Sequence, residues 1–234
     1  MTDSIRLSKR LIELTGCSRR EAELYIEGGW VTVDGNIIDE PQFQVRSETV
    51  ELRHGATAEP LEPVTFLAYQ PVNGDDIVNL LRPQTHWPED PTDRRVLKGN
   101  FARLKSALPL QPGAEGLVVF SQDWRTLRKL SEDAAKLEQE YVVEVTGTPA
   151  ANALERLKRG HTHKGKVLPA CKVSWQNETR LRFALKNPAT GIVQQLCESI
   201  GLTIISMKRL RIGGVSMGKL PVGYWRYLAT QERF

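Results

Sequence analysis

A chain of 234 residues, 40% hydrophobic and 26% charged, has enough apolar side chains for two modest globular domains. No apolar run approaches the roughly 20 residues that span a bilayer, which excludes a membrane-spanning helix. The net charge of +4 says little as a total, but its distribution is uneven. Residues 1–60 carry 7 Lys/Arg against 11 Asp/Glu, yet residues 1–20 carry 5 against 2, and Gly201 to Arg226 holds five cations and no acid. Clustered cations without neighbouring anions suit a polyphosphate partner or simply form a solvated face. The polar start from Thr2 lacks a signal-peptide pattern. Cys17, Cys171 and Cys197 are odd in number and form no CxxC, so reduced thiols in a cytoplasmic protein are expected.

In chain order, Leu7, Leu11 and Leu14 fall at helical spacing over Arg6 to Leu14. Ser18 opens a second helix, and Glu21 three residues on completes a capping box. Ala22, Tyr25 and Ile26 are its expected buried face, and Gly28-Gly29 its stop. Trp30 to Val33 is a strand, Asp34-Gly35 a tight hairpin, and Asn36 to Ile38 the returning strand. His54 to Pro63 reads as a linker.

Beyond it, Val64 to Tyr69 is expected as a strand, Asp76 to Leu81 as a short helix and Gln84 to Arg95 as a loop. Leu117 to Phe120 reads as a buried strand, Trp124 to Leu137 as one helix and Tyr141 to Val145 as a strand. A helix over Ala150 to Leu157 precedes a turn at Lys164-Gly-Lys166. Ala170 to Trp175 and Arg180 to Leu185 are expected to pair. Ile192 to Ile200 is a helix ended by Gly201, and Leu202 to Leu210 a strand. The order predicts an α+β chain with one mainly antiparallel sheet, divided as domain 1–52, linker 53–63 and domain 64–234.

Three N-terminal runs, Arg6-Leu-Ser-Lys-Arg-Leu11, Cys17-Ser-Arg-Arg-Glu-Ala22 and Val31-Thr-Val-Asp-Gly35, resemble the S4-type RNA-binding domain. The resemblance implies that Arg6, Lys9, Arg10, Arg19 and Arg20 grip RNA. Arg19 and Arg20 open a helix whose free N–H groups already favour phosphate.

The C-terminal run Leu210-Arg-Ile-Gly-Gly-Val-Ser-Met-Gly-Lys-Leu-Pro-Val-Gly-Tyr-Trp-Arg-Tyr-Leu228 is similar to the ending of the RsuA-type ribosomal RNA pseudouridine synthases. Glu140-Tyr-Val-Val-Glu-Val145 and Gly165-Lys-Val-Leu-Pro-Ala170 resemble two further stretches of that family. Its active-site pattern, Gly-Arg-Leu-Asp-x-x-Thr-Glu-Gly-Leu, aligns without gaps on Leu108 to Leu117 through Glu115-Gly116-Leu117. The family's catalytic Asp then falls on Gln111 and its Arg on Pro109. The resemblance implies an enzyme that isomerises uridine in RNA with no metal or organic cofactor. Its partner would be RNA, above all ribosomal RNA, with ribosomal or assembly proteins as further partners and no membrane.

A Gln amide does not ionise and is a poor nucleophile, so Gln111 predicts a degenerate, inactive site. Family cations are replaced by Gln70, Gln139, Gly191, Gln194 and Gln195. Tyr141 matches the family aromatic that packs on the target base, and it equally fits a core strand aromatic. Lys208, Arg209 and Arg211 are expected either on an RNA-facing surface or held at a strand edge. Glu115 and Asp123 are the nearest acids available to stand in for the missing carboxylate, and a helix cap is the competing role for Asp123. His161 and His163 read as a hairpin tip rather than metal ligands. Three functions follow: a non-catalytic rRNA binder acting in ribosome assembly, an active isomerase with a substitute acid, and a protein-interaction module on the same scaffold.

Overall fold

Local signals fix the first unit. The computed structural model describes residues 4–72, 74 and 80–234. They divide into two compact units, one up to Val64 with Asp93–Arg103, the other Thr65–Thr92 with Leu104–Phe234. The units interleave in sequence, unlike the consecutive division expected. The returning segment is tied within the first unit by Arg95, which donates to the Gly29 carbonyl at 2.9 Å and lies 4.5 Å over the Trp30 ring. Lys98 adds an ion pair to Glu40.

In that unit, β1 (Ile5–Arg6) leads into α1 (Leu7–Thr15) and α2 (Arg19–Glu27), followed by β2 (Val31–Val33), β3 (Asn36–Ile37), β4 (Gln44–Val45) and β5 (Val50–Leu52). Both hydrogen bonds of the Ser18–Glu21 capping box form. Asp34 and Gly35 both take positive φ, as a two-residue hairpin requires. β2 is central between β3 and β5, and β1 pairs with β4. Leu7, Leu11, Ala22, Ile26, Val31, Val33 and Val45 form the core.

The second unit contains β6 (Thr65–Gln70), β7 (Lys105–Ala107), β8 (Glu115–Ser121), α3 (Trp124–Ser131), β9 (Glu138–Gly147) and α4 (Ala153–Arg159). It continues through the hairpin β10 (His161–His163) and β11 (Lys166–Leu168), then β12 (Lys172–Trp175), β13 (Arg180–Lys186), α5 (Ile192–Ser199), β14 (Leu202–Ile212), β15 (Val215–Ser216) and β16 (Trp225–Tyr227). One sheet runs β12-β13-β9-β14-β8-β6-β16, with β7 on β8 and β15 on β14. It is mainly antiparallel, and β8 and β14 are a parallel pair. The α+β expectation therefore holds.

That parallel pair depends on Gly116. Its φ is +114°, and a Cβ there would meet the Arg209 carbonyl oxygen at 2.4 Å. Tyr141, Val143 and Val145 alternate onto one face of β9, where Leu157 of α4 and Val193, Leu196 and Cys197 of α5 cover them.

Two helices differ from expectation. The helix begun at Trp124 stops at Ser131, whose hydroxyl donates back to the Leu127 and Arg128 carbonyls, and a separate 3-10 turn at Ala134–Lys136 buries Ala134. The helix expected from Ala150 starts at Ala153, because Asn152 takes φ +55°. The helix expected over 76–81 lies largely outside the described residues. No helix among the described residues is long and apolar enough to cross a membrane.

Candidate active site

The loop before β8 carries Gln111, and a turn closed by Ala114 N–H on the Gln111 carbonyl shapes it. Gly113 supplies the positive φ that this turn needs. The Gln111 side chain is buried and fully engaged. Its Nε2 donates to the carbonyls of Ala189 at 3.1 Å and Pro188 at 3.4 Å. Its Oε1 accepts the Gly191 N–H at 2.8 Å. This latch needs an amide: two contacts require a donor and the third an acceptor. A carboxylate would keep the Gly191 bond but set its lone pairs against two carbonyl oxygens.

Behind the loop sits Arg209, a cation with none of its surface exposed. Its Nε donates to the Leu117 carbonyl at 2.8 Å, and its Nη atoms reach the Leu108 carbonyl at 2.7 Å, the Pro109 carbonyl at 3.1 Å and Gln139 Oε1 at 2.9 Å. Four of the five N–H groups of a guanidinium are thus used, all on neutral acceptors. Burial pulls the Arg209 pKa down, against the opposing influence of Tyr141. Arg209 therefore fixes the loop from a buried position; of the two places expected for it, the structurally held one is what this conformation displays, inside the sheet rather than at an edge. A long guanidinium reaches the loop carbonyls because Gly116 lets β14 approach so closely.

Tyr141 is also fully buried, with its hydroxyl donating to Gln139 Oε1 at 3.0 Å. Burial pushes the phenol up, with Arg209 opposing. Of its two expected roles, the core aromatic is the one this conformation displays, since Phe183 lies opposite it on β13 and α5 shuts the face.

Lys208 and Arg211 are held by ion pairs on β14, a strand with neighbours on both sides rather than an edge. Lys208 pairs with Glu115 at 3.1 Å and lies 5.0 Å over the Tyr69 ring, while the Tyr69 hydroxyl also donates to Glu115. Arg211 is held between Glu138 at 2.8 Å and Glu140 at 3.0 Å. Lys172 and Arg182 extend this ladder of alternating charge. Its acids, Glu138 and Glu140, escaped the sequence reading, although acids two apart on a strand facing cations on neighbouring strands were a legible signal.

Neither nominated acid reaches the loop's chemistry. Glu115 is consumed as described, and Asp123 caps α3 by accepting from the Arg125 and Thr126 N–H groups, both at 3.1 Å. Burial works against ionised Asp123, yet the hydrogen bonds from Thr126 and Arg125 prevail and lower its pKa. Glu198, not singled out from sequence, lines a cavity of about 330 Å³ together with Pro112 and Gly113. The replaced cations Gln194 and Gln195 bond to Glu198 and to the Gly191 carbonyl within α5 and its cap. Buried Cys171 and Cys197 are pushed up by burial to about 11 and about 12, so both stay protonated thiols.

In the first unit the expected contacts face solvent. Arg6, Lys9, Arg19 and Arg20 are exposed and Arg10 is half-buried. Arg10 and Arg19 make surface pairs with Glu13 and Glu23. Among the described residues no ion pair is recorded for Arg6, Lys9 or Arg20.

Residues 5–50 match the S4 domain. Ribosomal large subunit pseudouridine synthase B of Bacillus subtilis is 27% identical over 97% of this chain and 93% of its own length. The dual-specificity RNA pseudouridine synthase RluF of Escherichia coli is 27% identical over 98% of this chain and 77% of its own. A crystal structure of a pseudouridylate synthase, 17% identical, superposes with a TM-score of 0.59 over 96% of both chains. The chain is an S4 domain followed by a pseudouridine synthase fold, homologous along nearly its whole length to pseudouridine synthases of the RsuA type.

Proposed function

We propose that this protein binds ribosomal RNA through its S4 domain and holds it without isomerising uridine, in the cytoplasm, during ribosome assembly with ribosomal or assembly proteins as partners. The observation that carries this reading is the latch at Gln111. The position aligned with the catalytic carboxylate holds a non-ionising amide, and that amide is spent on three backbone groups. Support for the RNA half comes from the S4 match, from relatives named as ribosomal or RNA pseudouridine synthases, and from the exposed Arg6, Lys9, Arg19 and Arg20.

The test is to incubate the purified protein with rRNA from cells lacking it and map pseudouridine by carbodiimide reactivity. The expected outcome is tight RNA binding and no new pseudouridine. New pseudouridine would overturn the reading. A second reading, an active isomerase, is favoured by the full-length similarity to named synthases, and Glu198 beside Pro112 and Gly113 is then the acid to test. Activity that disappears in Glu198→Gln would establish it.

A further inference from the structure

Trp124 opens α3 with 63% of its surface exposed. All five tryptophans are among the described residues, and the other four are buried or half-buried. A lone exposed apolar side chain is ordinary; the surroundings of this one are not. The Arg125 guanidinium lies 5.6 Å from the Trp124 ring centre. Arg125 and Lys129, one turn apart and both exposed, have no ion pair recorded among the described residues, whereas Arg128 is paired with Glu132. Lys105, exposed on β7, which packs beside α3, is likewise without a recorded ion pair. The nearby acids are engaged: Asp123 caps the helix, Glu132 pairs with Arg128 and Asp133 pairs with Lys136. The result is an indole open to solvent with the Arg125 guanidinium near its ring and two further exposed cations, Lys129 on the same helix and Lys105 on the strand packed beside it; Asp123 acts on Arg125 and Asp133 on Lys129, so their charge is partly offset.

That combination is complementary to an unpaired nucleotide: a base has a π-face to stack on an indole, and the phosphates on either side meet cations. Double-stranded RNA hides its base faces and cannot use the indole in this way. We propose that Trp124, with Arg125 beside its ring and Lys129 and Lys105 as further cations of the surrounding surface, is a stacking platform for a single-stranded RNA segment. This rests on the RNA-binding reading above and adds to it a second contact surface, distinct from the S4 domain, together with the kind of RNA it takes.

The full-length protein is titrated with a fluorescein-labelled single-stranded RNA of about a dozen nucleotides, within the span such sites cover, and with a stem-loop lacking single-stranded tails. Trp124→Ala is expected to weaken single-strand binding about 5- to 100-fold and leave the stem-loop little changed. Trp124→Phe should recover most of the loss. Replacing Arg125 and Lys129 together by Gln should flatten the slope of log affinity against log salt by about 1.4. These side chains are exposed, so thermal melts should match the wild type; should Trp124→Ala not fold, the salt slope of the double Gln variant carries the test. Unchanged single-strand affinity in Trp124→Ala together with an unchanged salt slope in the Arg125/Lys129 double Gln variant, with wild-type RNA binding intact, overturns the platform alone. Binding of a polyglutamate peptide that RNA does not displace reassigns the face to an acidic protein and overturns it too. A wild-type protein that binds neither RNA overturns both this inference and the proposed function.

Discussion

Gln111 shows how one side chain can convert a reactive position into a joint. Restoring the acid by Gln111→Asp removes two donated hydrogen bonds and faces a carboxylate with the Pro188 and Ala189 carbonyls. The expected cost is about 1–3 kcal/mol, read as a melting temperature lower by about 2–10 °C, with no pseudouridine gained. A variant as stable as the wild type would mean that the latch contributes nothing. Arg209→Met should cost more, roughly 3 kcal/mol or above, because four acceptors lose their donor at once. Glu138 supplies a pH handle. Hydrogen bonds from Lys172 and then Arg211 hold its carboxyl below the ordinary 4.5. Its stabilisation is therefore complete above about pH 4.5 and lost as pH falls through the lowered native value. Melting temperatures of Glu138→Gln measured from pH 6 to 3 should fall less steeply at the acid end than those of the wild type; identical acid limbs would remove Glu138 from the account.

At the scale of elements, legibility followed the range of the interactions. The capping box at Ser18, the Asp34-Gly35 hairpin and the stop at Gly201 were readable because each is settled by residues within a turn of one another. The short strands β4 and β5 were not, because two or three residues carry no period and are strands only through their partners β1 and β2. The helix from Trp124 was read too long for a related reason: Leu130, Ala134 and Leu137 keep helical spacing, but the chain reaches the last two through a tighter turn. Gly116 has the largest predicted effect of any element-level change. Gly116→Ala would place a methyl against Arg209 backbone at an unfavourable φ, so a loss of about 3 kcal/mol or more is expected in a denaturant titration. A loss under about 1 kcal/mol would show that β8 and β14 separate easily.

For the whole molecule, the expected RNA-binding cations divide by what they meet. Arg6, Lys9, Arg19 and Arg20 of the first unit face solvent, whereas Lys208, Arg209 and Arg211 of the second are engaged by Glu115, by loop carbonyls and by Glu138 with Glu140. Replacing Arg6, Lys9 and Arg20 by Gln should weaken RNA binding and reduce its salt slope by roughly 2 to 3, with little change in stability. Lys208→Gln should leave the slope nearly unaltered. The reverse pattern in filter-binding assays would move the RNA contact to β14.

The sequence by itself determined the α+β class, the S4 unit and the absence of an ionisable group at position 111, since composition, caps, turns and residue identity are local properties. Tertiary structure alone decided what the site residues do. Gln111 meets Gly191 across 80 positions and Arg209 meets Leu108 across 101. No local pattern reports whether a cation ends beside a carbonyl, a carboxylate or solvent; that is settled only when distant strands pack and each buried polar group must find a partner.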